Sequence, residues 1–139
     1  MKTIVVFASN TGNTAAMAEA ICEGARAAGA DVTMENAADV GKDAVLAAEC
    51  IAFGSPSMGV EVLDDVMEEL FASLESSLSG KKVALFGSYD WGDGQWMRDW
   101  EDRVKATGAT LVNGQGVIAQ LTPDSTALEE CRALGAQLV

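Results

Sequence analysis

Six consecutive small polar residues and glycine stand directly before a helical pattern near the start of the chain. They are Ser9, Asn10, Thr11, Gly12, Asn13 and Thr14. Hydroxyl and amide groups beside the free N–H groups of a helix N-terminus are suited to bind a phosphate, because that helix end carries partial positive charge. A helix start that is merely well capped is the alternative. The segment lacks the lysine of a nucleotide-triphosphate loop and the three glycines of a dinucleotide fingerprint, so it predicts neither motif.

Two later loops each carry one large side chain flanked by glycines. In residues 54–61 this side chain is Met58, and in residues 87–94 it is Trp91. A polarisable thioether and an indole ring placed on loops are suited to hold a flat ring between them. The alternative is that each side chain packs against its own domain. Trp96 and Trp100 are four residues apart on a helical pattern, which favours a place in the core.

All three loops follow apolar segments that are typical of strands buried on both faces. These segments are residues 3–8, 31–34, 50–54, 83–87, and 110–112 together with 117–119, the last interrupted by residues 113–116. Helical patterns between them predict an α/β fold, with a parallel sheet, right-handed crossovers and helices on both faces. Ligands of such sheets bind beyond the carboxyl ends of the strands, which is where the three loops stand.

Three of the intervening segments carry an apolar stripe at helical spacing. The stripes are Met17, Ala20, Ile21, Gly24 and Ala28; Leu63, Val66, Met67, Leu70 and Leu74; and Trp96, Met97, Trp100 and Val104. We expect the first helix to close at Gly29, because glycine is the usual residue after a helix C-terminus. A weak helix is expected over residues 39–48 and a last helix over residues 126–138.

Composition narrows the class of protein. The chain has 139 residues, 49% of them hydrophobic, and a net charge of −12, which suits one globular domain and disfavours nucleic acid or anionic membrane as a partner. No apolar run approaches the roughly 20 residues that span a bilayer. We therefore expect a soluble cytoplasmic protein.

With 0 histidines, imidazole zinc sites and Ser-His or Cys-His catalysis are excluded. Cys22, Cys50 and Cys131 are expected to be buried, reduced thiols.

Eight acidic residues lie between Lys42 and Lys81 with no basic residue among them. They are Asp43, Glu49, Glu61, Asp64, Asp65, Glu68, Glu69 and Glu75. A solvated helix face accounts for some clustering. The exclusion of every basic residue also points to a docking surface or to a local need for negative charge.

These segments together resemble flavodoxins of the short-chain, clostridial type. The resemblance covers essentially the whole chain and is carried by residues 9–14, 56–61 and 80–97, the last containing Gly-Ser-Tyr-Asp-Trp-Gly-Asp-Gly at 87–94. It implies a flavodoxin-like three-layer α/β/α fold, with a five-stranded parallel sheet in the order 2-1-3-4-5. It also implies a single FMN-binding domain over residues 1–139.

By the same resemblance the cofactor is non-covalently bound FMN, with its phosphate in the loop of residues 9–14. Met58 and Trp91 would cover the two faces of the flavin ring, and the carboxylate of Glu61 would accept from the flavin N3–H. The residues that the resemblance assigns to FMN are Ser9, Asn10, Thr11, Gly12, Asn13, Thr14, Pro56, Ser57, Met58, Gly59, Glu61, Ser88, Tyr89, Asp90, Trp91, Gly92 and Gln120. It assigns no catalytic residue and no metal ligand.

The implied function is low-potential one-electron transfer between the semiquinone and hydroquinone forms of FMN. Negative charge at Glu61 and Asp90 would make the anionic hydroquinone costly and so lower its potential. We expect the protein to be a monomer. Its expected partners are redox proteins of the kind served by ferredoxins. They would dock on an acidic rim made of Asp64, Asp65, Glu68, Glu69 and Asp93.

Three other function classes share parts of this pattern. A phosphoacceptor receiver domain has the same topology but needs acidic residues after the first strand, where this chain has Ala8 and Ser9. A small flavin-dependent NAD(P)H reductase needs room for nicotinamide beside the ring, which a covering Trp91 would deny. A non-redox FMN-binding domain would form no stable semiquinone.

Overall fold

The computed structural model of the chain describes residues 2–8, 12–58, 62–90 and 92–138. Within them the strands are β1 (Lys2–Phe7), β2 (Asp31–Asn36), β3 (Cys50–Gly54), β4 (Ser57–Met58), β5 (Val62–Leu63), β6 (Lys82–Tyr89), β7 (Thr110–Leu111) and β8 (Val117–Gln120). The α-helices are α1 (Asn13–Ala27), α2 (Lys42–Leu46), α3 (Asp65–Leu74), α4 (Gln95–Ala106) and α5 (Ser125–Gln137). Each strand of the main sheet alternates with a helical connection, as the apolar pattern predicts.

The main sheet is parallel and has the order β2-β1-β3-β6-β7, with β8 also paired to β6. The predicted order 2-1-3-4-5 is therefore confirmed, with β6 as the fourth strand. The fifth strand is split, because β7 pairs with the start of β6 and β8 with its end. A short 3-10 turn at Val112–Gly114 lies between the two pieces, at the interruption that the sequence predicts.

One face of the sheet is covered by α1 and α5, which pack through small residues. Gly24 of α1 lies so close to α5 that a Cβ atom there would overlap the carbonyl oxygen of Arg132. Gly135 of α5 stands in the same relation to the carbonyl oxygen of Ile21. All three cysteines, Cys22, Cys50 and Cys131, belong to the apolar cluster on this face. We call it the small-residue face.

The opposite face is covered by α3 and α4, and its core is aromatic. Phe71 of α3 stands edge-on to Phe53 and to Trp100, with ring centroids 5.3 and 5.7 Å apart. Trp96 and Trp100 are each 1% exposed, so their predicted place in the core is confirmed. We call this the aromatic face.

The helix ends differ from the predicted patterns in three details. Ala28 was expected on the buried stripe of α1, but it lies beyond the end of that helix and is exposed. Val66 was expected on the buried stripe of α3, but it is 43% exposed, because it belongs to the first turn after the capping residue Asp64. The weak helix predicted over residues 39–48 is shorter, five residues long.

Candidate functional site

Four loops meet at one edge of the sheet because the parallel register aligns the strand ends. Phe7 of β1 lies opposite Gly54 of β3, and Gly54 lies opposite Phe86 of β6. Farther along β6, Tyr89 lies opposite Gln120 at the end of β8. The segments that follow these residues are those in which the sequence predicts a ligand site. The fold thus brings the predicted loops together at this edge, where open α/β sheets bind their ligands. We call this place the crevice.

The first loop enters α1 through Gly12, which has φ 89° and is the N-cap residue. Glycine adopts this left-handed conformation without strain. Gly12 makes no side-chain capping bond, and the first turn of α1 contains no acidic residue. A helix start whose first turn carries no carboxylate fits an anion. The predicted residues Ser9, Asn10 and Thr11 lie outside the described residues.

A buried hydrogen bond ties the first turn of α1 to the end of β6. The hydroxyl oxygens of Thr14 and Ser88 are 2.8 Å apart, and the side chains are 1% and 5% exposed. The two residues are 74 positions apart in the chain. Their bond therefore links the predicted phosphate end of the site directly to the predicted ring end, while Asn13 beside it is half-buried.

The second loop forms a small antiparallel hairpin from β4 and β5. Met58 lies opposite Val62, and these side chains are 36% and 53% exposed. Opposite residues in an antiparallel pair share a face, so the hairpin offers an exposed apolar pair. Pro56 and Ser57 are half-buried at its base. The predicted residues Gly59 and Glu61 lie outside the described residues.

Ser55 fixes the base of this hairpin, although it is not among the predicted site residues. Its hydroxyl donates to the carbonyl of Pro56 at 2.9 Å and accepts from the N–H of Asp64 at 3.0 Å. The carbonyl of Ser55 also accepts from the indole N–H of Trp96 at 3.4 Å. A serine directly after a buried strand was the available signal, although it does not reveal partners nine and 41 residues away.

The third loop begins where Ser88 and Tyr89 leave β6 on opposite faces. Ser88 faces α1, whereas the Tyr89 ring lies 5.5 Å from that of Trp96 on the aromatic face. Asp90 is exposed, as is Gly92, and the predicted ring-covering residue Trp91 lies outside the described residues. One strand end therefore serves both halves of the crevice.

The fourth loop is bound to the third. The side-chain amide of Gln120 donates to the carbonyl of Asp90 at 3.2 Å, and the N–H of Leu121 donates to the carbonyl of Tyr89 at 2.7 Å. Leu121 has φ 56° and is 53% exposed, a combination that no sequence pattern had indicated. The predicted site residue Gln120 is thus joined to the predicted segment 88–92.

Several acidic residues expected on a free rim have partners inside the fold. Asp64 is 9% exposed and accepts from the N–H of Val66 as the cap of α3. Glu68 and Glu75 both bind Arg103 of α4 at 2.7 Å, and these bonds, chiefly that with Glu68, raise the pKa of the guanidinium. Asp93 binds Arg98 at 2.8 Å. The rim prediction is unaltered for Asp65 and Glu69, which are exposed.

The three cysteine thiols lie inside the fold. Cys22, Cys50 and Cys131 are free and buried, and burial raises the pKa of each, that of Cys131 to about 12. In the described part of the chain, no group of three acidic or thiol side chains could hold a metal ion. Among the same residues, no helix is both long and apolar enough to cross a membrane.

Comparisons with known proteins agree with this fold. A sequence profile described as Flavodoxin matches residues 5–135. The chain is similar to a flavodoxin of Megasphaera elsdenii, with 45% identity over 94% of this chain and 93% of the relative. It is also similar to a flavodoxin of Clostridium beijerinckii, with 42% identity over 96% of each. The solution structure of two-electron reduced Megasphaera elsdenii flavodoxin superimposes with a TM-score of 0.86, covering 98% of this chain and 97% of that one.

Proposed function

Because this chain belongs to the flavodoxin family and is therefore an electron carrier that uses FMN, we propose that its crevice of four loops is the FMN site. The observation that carries the proposal is the Thr14–Ser88 hydrogen bond of 2.8 Å, which joins two of the predicted segments. The bond from Gln120 to Asp90 joins a third segment to that of Ser88. A single domain over residues 1–139 accompanies this proposal, since both apolar clusters lie against one sheet.

The start of α1 would hold the phosphate. Gly12, Asn13 and Thr14 provide backbone N–H groups at a helix N-terminus, together with neutral side chains. A phosphate dianion is favoured there by the helix dipole, and no carboxylate of the first turn opposes it. Ser9, Asn10 and Thr11 complete the loop in the family resemblance. This donor set fits a phosphate ester without any lysine or arginine.

The flavin ring would lie between the second and third loops. Met58 provides an exposed thioether on the β4–β5 hairpin, and Trp91 is assigned to the other side of the ring. Pro56, Ser57, Gly59 and Glu61 complete the hairpin side. Tyr89, Asp90, Gly92 and Gln120 complete the other side, where the bond to Asp90 holds Gln120 in place.

Bound FMN supplies one-electron chemistry, and residues of the chain set the potential at which it operates. Glu61 and Asp90 would place carboxylates beside the ring, so that adding negative charge there becomes more costly. Met58 and Trp91 would exclude water and strengthen this effect. The ion pair of Arg98 with Asp93 cancels part of the negative charge near the third loop. We therefore expect the tuning to rest on Glu61 and Asp90.

Partner proteins would dock on the surface around the crevice while the carrier remains a monomer. Asp65 and Glu69 are exposed on α3, and they keep the docking role proposed for the acidic rim. Glu68 and Asp93 contribute less, because Arg103 and Arg98 bind them. A basic patch on a redox protein is the complementary surface, and its binding should weaken as salt rises. A reductase acting on NAD(P)H is not favoured, since the close relatives are named flavodoxin.

A redox titration tests the site assignment. Purified protein reconstituted with FMN should be yellow, and dithionite should reduce it in two separate one-electron steps. Replacing Asp90 with asparagine should raise the potential of the second step by about 20–40 mV, since an exposed charge contributes about 0.5–1 kcal/mol and 59 mV equals about 1.4 kcal/mol. The matched control is Asp39→Asn, which is exposed in the turn that follows β2. Equal potentials in both variants would refute the role of Asp90, and a protein that cannot take up FMN would refute the site.

A further inference from the structure

The strand β8 lies at an open edge of the sheet. It pairs with β6, and no other described strand pairs with it. The N–H of Leu121 donates to Tyr89 of β6. Because backbone groups of a strand point alternately to its two sides, those of Ala119 also face β6, whereas those of Ile118 and Gln120 face outward. An open strand edge of this kind is a template for a further strand.

A groove runs along this edge. One cavity of about 590 Å³ is bordered by Met97 and Glu101 of α4 and by Glu130 of α5. A second cavity of about 380 Å³ continues past Gln120 to Asp124. The cavities share Ile118 and Glu130 as lining residues, so they adjoin along β8 as one groove. We call it the edge groove. It lies between α4 and α5, whose residues Met97 and Glu130 border it.

The charge of the edge groove selects the kind of chain that fits. Glu101, Asp124 and Glu130 line it, and Arg98 is the basic residue among the lining. Asp93 already binds Arg98 at 2.8 Å, so negative charge is in excess. Glu101 accepts from the N–H of Gly116 at 2.7 Å, which holds its carboxylate against the groove. A second copy of this chain, with net charge −12, would bring carboxylates against carboxylates.

We propose that the edge groove binds an extended basic segment of a redox partner, which adds a strand to β8. The inference rests on the proposed function, because Gln120 lines the groove and also belongs to the proposed FMN site. The added strand would pair with the outward N–H and C=O groups of Ile118 and Gln120. Its lysine or arginine side chains would reach Glu101 and Glu130. A partner held in this way is positioned beside the cofactor by its backbone as well as by its charge.

Synthetic peptides test the proposal on the FMN-loaded protein. The probe is an eight-residue peptide of alternating lysine and valine, acetylated and amidated. A second peptide is N-methylated at every residue, which keeps the charge and removes every backbone donor. A third has glutamate in place of lysine. Nitrogen-15 NMR spectra should show the lysine peptide shifting the amides of Ile118 and Gln120 and slowing their hydrogen exchange. The other two peptides should bind at least about tenfold more weakly, a difference of about 1.4 kcal/mol.

Charge variants separate this groove from the acidity of the whole surface. The double variant Glu101→Gln/Glu130→Gln should weaken the lysine peptide at least about threefold at low salt. The control Glu35→Gln/Asp39→Asn removes the same charge near β2, which is the outermost strand on the side of the sheet away from β8. It should leave the affinity for the lysine peptide nearly unchanged. Equal binding of the N-methylated peptide, shifts confined to other residues, or no binding at all would overturn the proposal. If the same sample still takes up FMN and is reduced in one-electron steps, only the groove is rejected.

Discussion

On the small-residue face, α1 and α5 approach until their backbones touch, whereas on the aromatic face rings fill the space between α3, α4 and the sheet. Gly24 and Gly135 make the first arrangement possible, since a Cβ atom on either would overlap a carbonyl of the other helix. Phe53, Phe71 and Trp100 make the second. The two faces should therefore fail in opposite ways. One should be sensitive to an added atom and the other to a removed ring.

This difference corresponds to the two halves of the crevice. The small-residue face carries the start of α1, where the phosphate is proposed to bind, and close backbone packing suits a site whose geometry must be fixed. The aromatic face carries the base of the β4–β5 hairpin and Tyr89, beside which the ring is proposed to lie. Trp96 supports both the base of the hairpin and Tyr89. Its indole N–H donates to the carbonyl of Ser55, and its ring contacts that of Tyr89.

Removing a ring from the aromatic face should produce the largest effect. Phe71 is 0% exposed and touches two other rings and Arg103. Phe71→Ala should lower the free energy of unfolding by about 3–5 kcal/mol, because a large cavity is left behind. Urea denaturation measures this change. The control Val66→Ala lies on the same helix at a 43% exposed position and should cost less than about 0.5 kcal/mol. Similar losses in the two variants would contradict the importance of the rings.

Adding one carbon to the small-residue face should come next. Gly135→Ala should lower the free energy of unfolding by about 1–3 kcal/mol through overpacking, although alanine by itself favours a helix by about 1 kcal/mol. The control Ala136→Ser adds one atom at an exposed position of the same helix and should stay within about 0.5 kcal/mol. A Gly135→Ala protein that is more stable than the parent would show that the helices can separate without cost.

The bond between Thr14 and Ser88 should have a smaller effect and is best measured by a double-mutant cycle. Thr14→Val keeps the side-chain shape and leaves the buried Ser88 hydroxyl without its partner. Thr14→Val and Ser88→Ala should each destabilise the protein by about 1 kcal/mol, and the double variant should cost less than their sum. FMN affinity, followed by fluorescence quenching, should fall in each variant. Additive losses of stability would show that the two hydroxyls do not act together.

The smallest expected effect is that of a thiol reagent on the folded protein, because all three cysteines are buried on the small-residue face. At pH 8 a disulfide reagent such as DTNB should label none of them in the folded protein and all of them after unfolding. The pKa of Cys131 is about 12, above that of an unfolded thiol at about 8.5. Its contribution to stability is therefore complete below pH 8.5 and is lost as the pH rises toward 12. Rapid labelling of one thiol at pH 8 would show that this face opens.

The sheet and helices could be predicted from local pattern, because buried strands and amphipathic helices leave a signal within a few residues. The stripe of Trp96, Met97, Trp100 and Val104 is buried on α4 as expected. The hairpin was not predicted, since β4 and β5 are two residues each and two residues carry no periodicity. The phosphate loop was predicted from its polar residues at a helix start, whereas Gln120 was predicted from the family resemblance alone.

The acidic rim shows what local pattern cannot supply. The span between Lys42 and Lys81 contains no base in sequence, yet Arg103 of α4 reaches both Glu68 and Glu75. Its guanidinium also lies over the ring of Phe71, 5.0 Å from the centroid. Such ion pairs depend on how two helices are placed against each other. The sequence of a single helix does not determine this placement. Partner docking is therefore proposed at Asp65, at Glu69 and along the edge groove.

The break between β7 and β8 has a practical consequence for engineering this protein. Leu111 pairs with Val83 and Val117 pairs with Phe86. The outer strand therefore has more residues than β6 between the same two pairing positions. Asn113 and Gly114 are exposed, and a Cβ atom on Gly114 would meet nothing within 4 Å. A reporter peptide or the new ends of a circular permutant could enter the chain between them while both pairings are kept.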